Sequence, residues 1–215
     1  MKRAMMMVLL AALSMMAGVA AAQDSAGMGI GGFFETRIDN EVAGEDLAFD
    51  YYGVRLQFRD ERWFNVFADL GMQSADWGDY ESDASGFFGL GGTLWLVRGE
   101  DLVVPIDLGL YASFYSGDLD IDSRGAASYD ATYTKFVGQG VLRATDYGIA
   151  VPFLRVGVMK SELDVSGLSS DDDWDVTNPA INAGVEITPQ ENFTVTLEGN
   201  YSESVGFGIR GDLWF

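Results

Sequence analysis

The chain of 215 residues has no cysteine, no histidine and only 4 prolines, and it sets just 13 lysines and arginines against 33 aspartates and glutamates. Each shortage excludes something. Without cysteine there is no disulfide framework, no thiolate metal site and no lipidated cysteine anchor. Without histidine the usual general base near neutral pH and the commonest metal ligand are gone. A formal charge of −20 repels nucleic acid, whose binding depends on Lys and Arg meeting phosphates, so no nucleic-acid partner is expected. An apolar content of 48% is too high for a disordered acidic chain. Past the N-terminus no long apolar run remains, and no transmembrane helix is expected there. A closed β-barrel stays open as a possibility, because it too satisfies every backbone group internally.

What is present begins with an address. Lys2 and Arg3 precede an uncharged apolar run over residues 4–19, and Ala20-Ala21-Ala22 offers an A-x-A cleavage site before Gln23. Residues 1–22 are expected to be a cleaved signal peptide, and residues 23–215 one exported domain. The alternative is an uncleaved anchor, since the run to Ala22 almost reaches spanning length. The small-residue end and the abrupt polar switch at Gln23-Asp24-Ser25 favour cleavage.

The exported part has a period near two almost throughout. In the first segment Met28, Ile30, Gly32, Phe34, Thr36 and Ile38 share one face, and Gly29, Gly31, Phe33, Glu35 and Arg37 the other. Nine further segments repeat the pattern, near residues 52–59, 64–73, 88–96, 104–112, 132–144, 152–158, 181–187, 193–198 and 205–215. The sixth is the weakest, because Val137 and Val141 fall on its polar face. Most segments run about 10–13 residues. A tilted strand needs about 9–11 to cross a bilayer, whereas strands of soluble proteins average about 5–6. The polar face carries acids and bases in similar numbers, which suits a wet lumen better than an oily core.

Connections alternate in length. Short ones are expected at residues 59–62, 98–101, 145–148 and 189–192, and long ones near 39–48, 74–85, 116–131 and 162–177; the fifth outward connection, at 202–204, is short. Short turns on the periplasmic side and long loops outside are the outer-membrane arrangement, and an even strand number puts both termini at the turns. Trp63, Trp95, Tyr147 and Trp214 lie beside the turns, and Tyr51, Tyr52, Tyr115, Tyr133 and Tyr201 beside the loops, as aromatic girdles at two interfaces would. The expected fold class is all-β: an antiparallel up-and-down transmembrane β-barrel of about ten strands, with eight as the fallback.

The last residues, Phe207-Gly208-Ile209-Arg210-Gly211-Asp212-Leu213-Trp214-Phe215, resemble the terminal strand of bacterial outer-membrane proteins. The resemblance extends in pattern over the whole exported chain and identifies no subfamily. It implies a Gram-negative outer-membrane location, contact with membrane lipid and lipopolysaccharide, and assembly by the barrel-assembly machinery through Phe207, Ile209, Leu213 and Phe215. No appended periplasmic domain is expected after Phe215. In strand count the chain is similar to the omptin proteases, but those need an Asp–His pair to activate water, and here the resemblance stops at architecture. The common Ser–His triad is equally beyond reach, so no enzyme and no catalytic residue is expected.

Acids crowd the expected loops. Asp118-x-Asp120-x-Asp122 resembles the start of a calcium loop. It departs from that pattern because the glycine is Gly125 rather than the residue after Asp122, and Tyr129 stands where the bidentate Glu belongs. These three are the candidate metal residues; otherwise no cofactor is expected, and a solvated acidic face is the simpler reading. On the lumen face Glu35, Arg37, Arg55, Arg59, Asp69, Asp107, Lys135, Arg143, Arg155, Glu186, Glu198, Arg210 and Asp212 are expected to form a charge network, either a salt-bridged plug or the lining of a narrow pore. The expected function is a non-enzymatic outer-membrane barrel, structural or porin-like. The alternatives are surface adhesion or ligand binding through the acidic loops and, further off, a soluble periplasmic lipocalin-like carrier with an apolar interior.

Overall fold

A computed structural model of the chain describes residues 26–42, 45–60, 62–77, 80–101, 104–123, 128–145, 148–166, 174–202 and 204–215. The expected signal peptide, residues 1–22, lies outside the described residues.

The period-two segments fold as β1 (Ala26–Val42), β2 (Glu45–Asp60), β3 (Phe64–Trp77), a three-residue β4 (Tyr80–Ser82), β5 (Ser85–Val97), β6 (Ile106–Ser123), β7 (Ser128–Ala144), β8 (Ala150–Val165), β9 (Trp174–Gln190), β10 (Phe193–Ser202) and β11 (Ser204–Trp214). A single 3-10 turn, Gly99–Asp101, precedes β6. The full strands pair antiparallel with their chain neighbours, and β1 pairs with β11, so the sheet closes on itself. Setting aside β4, which bridges β3 and β6 at one end, the barrel has ten strands rather than the fallback eight. Closure is sealed at the turn end: the Met28 N–H donates to the Phe215 carbonyl at 3.2 Å, and the Phe215 N–H to the Met28 carbonyl at 2.9 Å. A closed ring leaves the spanning part without an unpaired edge.

Turns are made by local chemistry. In the β2–β3 turn Asp60 Oδ1 accepts from the backbone N–H groups of Arg62 and Trp63, both at 3.0 Å, the self-capping habit of Asp. In the β7–β8 turn Gly148 takes φ +67°, a left-handed conformation that glycine adopts without steric cost.

The two faces separate as the alternation requires. Leu110 is 52% exposed and Val158 57% on the outside, while Asp69 is 1% exposed inside. Along β6 the outer face is apolar over residues 106–114 and then turns to Ser116, Asp118 and Asp120; along β8 it is apolar over residues 152–158 and then turns to Lys160, Glu162 and Asp164. That apolar belt matches the hydrophobic band of a bilayer-spanning barrel. A soluble carrier would show the reverse, with a polar outside and an oily interior.

Three expectations are corrected. First, the long connections are largely strand: the ten full strands run 10 to 18 residues, so β6 and β7 form one hairpin through most of residues 116–131. Once a strand leaves lipid its outer face turns polar while its inner face becomes apolar, as in Asp118-Leu119-Asp120 and Glu162-Leu163-Asp164, so the polarity of the alternation inverts although the backbone ladder continues. Only the β10–β11 hairpin is short, pairing Ser202 with Ser204, and the wall is lowest there. Second, the girdle is thinner than expected. Trp63, Tyr52 and Tyr201 are exposed outside, but Tyr51, Trp95, Tyr115, Tyr133 and Trp214 have inward parity and face the lumen; Tyr147 lies outside the described residues. Third, the lumen is not polar throughout. Toward the outer end Phe49, Tyr51, Phe87, Leu119, Tyr133 and Leu163 pack into a buried cluster, with the Phe49 and Tyr133 rings stacked at 4.3 Å. Each such side chain contributes about 1.5–3 kcal/mol when fully buried. Of the misfits to a polar face, Val137 lines the outer cavity beside the cluster and Val141 the cavity at the turn end.

Candidate functional site

The lumen divides lengthwise. The outer end of its β2–β8 wall carries the aromatic cluster, whereas the β9–β10–β11–β1 wall is lined by Asn182, Thr196, Glu198, Asn200, Ser202, Gly208 and Glu35. Beside the cluster this leaves a cavity of about 780 Å³, counting space open to solvent. A larger one of about 1280 Å³, counted the same way, occupies the turn end. Both reach one level of the barrel, where Arg55, Tyr111, Arg155, Thr196, Glu198 and Arg210 line the two.

That level is built from cross-strand neighbours. Register sets Arg55 of β2 opposite Asp69 of β3, and the pair is bidentate: Nε donates to Oδ1 at 2.7 Å and Nη2 to Oδ2 at 2.6 Å. The Tyr115 hydroxyl donates to the same Asp69 Oδ2 at 3.2 Å. The guanidinium lies over the Phe67 ring, 3.6 Å from its centroid, so this corner is locked by charge and stacking together. Across the lumen Arg155 of β8 reaches past β9 to Glu198 of β10 and donates from Nη2 to Oε2. Asn182 on the intervening β9 donates to Glu198 Oε1 at 2.5 Å and accepts from Gln139 Nε2. Arg155 also lies over Tyr111 at 4.4 Å.

Below this level, toward the turns, the Gly99 N–H donates to Asp107 Oδ1 at 2.8 Å, and Asp107 Oδ2 lies 3.4 Å from Arg98 and 3.5 Å from Arg143. Arg143 Nε also donates to Glu186 at 3.0 Å. Arg210 Nε donates to Asp212 at 2.7 Å and its Nη2 to Thr196 at 3.1 Å. Arg59 stacks on Trp214 at 3.9 Å. A side chain at Gly31 would run into Asp212 and the Gly211 carbonyl, which is why that position is bare. Buried Gln57 Nε2, Asn65 Oδ1, Arg155 Nε and Asp212 Oδ1 have no protein hydrogen-bond partner among the described residues. Buried polar atoms of this kind are ordinarily satisfied by water.

Most of the expected charge set therefore does converge, as separate clusters rather than one network. Lys135 is buried between the rings of Tyr51 and Tyr115, 4.4 and 4.9 Å from their centroids, and Glu35 accepts from Asn200 at 3.3 Å. The Arg37 side chain lies outside the described residues. Arg98, assigned from sequence to a turn, joins the lumen, and Gln139, Asn182, Tyr111 and Thr196 carry roles that charge alone did not signal. Their inward parity was the available clue. Phe207, Ile209, Leu213 and Phe215 share the exposed outer face of the terminal segment. Asp118, Asp120 and Asp122 string along β6 instead of folding into a loop; Asp118 accepts from Thr132 at 3.1 Å, and the side chain of Asp122 lies outside the described residues. No group of three or more candidate metal ligands gathers among the described residues.

No family model matches the sequence, and no curated protein sequence matches it. Solved structures do resemble it in shape. The translocator domain of autotransporter NalP from Neisseria meningitidis superposes with a TM-score of 0.53 at 11% identity, covering 100% of this chain and 96% of that one. An outer membrane channel from Pseudomonas putida F1 gives 0.48 at 11% identity, covering 89% and 96%. Ail, the attachment invasion locus protein of Yersinia pestis, gives 0.39 at 14% identity, covering 88% and 96%. Identities this low speak to fold alone, and of these three the NalP superposition carries that statement. By fold, the chain is a closed antiparallel β-barrel of the kind that this outer-membrane translocator domain shows.

Proposed function

We propose that this barrel is integral to the outer membrane, non-enzymatic, and provides a narrow polar passage for small solutes. The observation that carries this reading is that cavities on the two sides of the lumen share the lining of the Arg55–Arg155 level, where the exposed inner surface is polar. The inner cavity faces the turn end, and the outer one reaches Ser202 at the short β10–β11 hairpin. Ten strands stand just above the eight whose interior side chains fill, far below the 16–18 of a wide aqueous channel, so the passage suits water and small ions. The exposed apolar belt supports the membrane location. The lack of histidine removes the usual water-activating and Ser-activating base. The outward apolar side chains of the terminal strand support engagement by the barrel-assembly machinery.

A second reading, surface binding through the hairpins, is favoured by one observation: beyond the belt, β6 and β7 carry exposed Asp118, Asp120 and Asp130 on a solvated outer face. Contact with lipopolysaccharide through bridging cations belongs to that reading.

The test is planar-bilayer recording of the purified, folded barrel. Small discrete currents are expected. Gly208 lines the outer cavity, and a Cβ there would meet nothing nearer than 3.6 Å, so Gly208→Trp enters open space and should reduce the current severalfold. A folded protein that carries no current would leave a closed, structural barrel.

A further inference from the structure

The chain is strongly acidic, yet the surface that its lumen offers to a passing ion is not. In the ion pairs of the turn-side cavity, side-chain exposure is lopsided. Asp69 is 0% exposed against 11% for Arg55. Asp107 is 1% exposed against 19% for Arg98 and 28% for Arg143. Asp212 is 1% exposed against 22% for Arg210. These carboxylates lie against the wall, under their own arginines. Only Glu198 and Glu186, at 17% and 27%, are as open as their partners. The register explains the bias. A short Asp side chain stays near the backbone, whereas an arginine stem carries its charge toward the axis.

Arg155 stands out among the six arginines of that cavity. It lines both cavities and is held to Glu198 from Nη2 alone. Its buried Nε has no hydrogen-bond partner among the described residues, and it lies within the field of Arg55. The Arg155 side chain is 15% exposed, and in the lining shared by the two cavities it joins Arg55 and Arg210 around a single carboxylate, Glu198; Coulomb attraction for an anion there falls with distance and rises as water is excluded.

We propose that the passage prefers small anions over cations, and that Arg155 is the residue that sets this preference at the level that both cavities reach. The preference rests on the proposed passage and deepens that reading. It requires no net positive charge in the lumen, only that guanidiniums outweigh carboxylates in exposure along the passage; at the Arg155 level Arg155 and Glu198 are equally open, at 15% and 17%, and Arg55 and Arg210 add further guanidiniums to the shared lining.

The experiment is the reversal potential of the refolded barrel across a tenfold KCl gradient. Wild type should reverse on the chloride side of zero. Arg155→Lys keeps a cation and should keep the sign. Glu198→Gln removes the one open carboxylate at that level and should move the reversal potential further toward chloride. Arg155→Gln alone strands Glu198 and risks misfolding, so the informative loss is the double variant Arg155→Gln/Glu198→Gln, which should move the value toward zero. A wild-type channel that prefers potassium, or a double variant with an unchanged reversal potential, overturns the anion preference and leaves the passage standing. A folded barrel with no current in any variant overturns the passage and the preference with it.

Discussion

At the scale of single residues, the Arg55–Asp69 pair is the most tightly held charge in the molecule's interior: two short hydrogen bonds, a tyrosine hydroxyl on the carboxylate and an aromatic ring under the guanidinium. A buried pair is not necessarily more stable than a well-packed apolar pair, but removing one partner leaves an uncompensated buried charge and costs about 3–5 kcal/mol. Asp69→Asn should therefore lower the denaturant midpoint of the vesicle-inserted barrel by that order. Arg98 is more exposed and only one of two arginines on Asp107, so Arg98→Gln should cost clearly less. Equal losses in the two variants would contradict the view that the Arg55–Asp69 pair is held more tightly than the Arg98–Asp107 pair.

At the scale of elements, the strand faces carry the argument. On β6, Leu110 lies in the apolar belt and Asp118 beyond it, both on the outer face. A charge at the midplane of a lipid face costs roughly 2–4 kcal/mol and falls toward zero near the interfaces. Leu110→Arg should depress folding into vesicles by that order, and Asp118→Arg should leave it almost unchanged, as read from the fraction folded over a urea series. In a soluble barrel the first substitution would be harmless, so the contrast between the two positions measures the membrane itself. These faces are legible in the amino-acid alternation alone: Leu108, Leu110 and Ala112 against Asp107, Gly109 and Tyr111. Where β6 ends was harder to read, because beyond Ser116 the alternation inverts, with Asp118 and Asp120 outward and Leu119 inward, while the hydrogen-bonded ladder runs to Ser123.

At the scale of the whole molecule, closure between β1 and β11 makes the barrel one cooperative unit, since every spanning strand is paired on both sides. Such a ring should resist detergent at room temperature and open on heating. Boiled and unboiled samples of an outer-membrane fraction should run at different positions on an SDS gel. A protein recovered in the soluble fraction with no such shift would contradict membrane insertion.

The sequence by itself determined the fold class, the two faces of most strands and the inward placement of Arg55, Asp69, Arg155 and Glu198, because alternation is a property of one strand between two environments; that the strands number ten rather than eight was decided by closure of the ring. The sequence did not determine that Arg155 reaches past β9 to Glu198, that Asp107 joins Arg98 to Arg143, or that Phe49, Tyr133 and Leu163 fill the outer end of a lumen whose charges suggested water throughout. Those facts depend on the stagger between strands and on closure of the ring, which decide the height at which each inward side chain meets its neighbours. Period two carries no information about height, and only the tertiary structure supplies it.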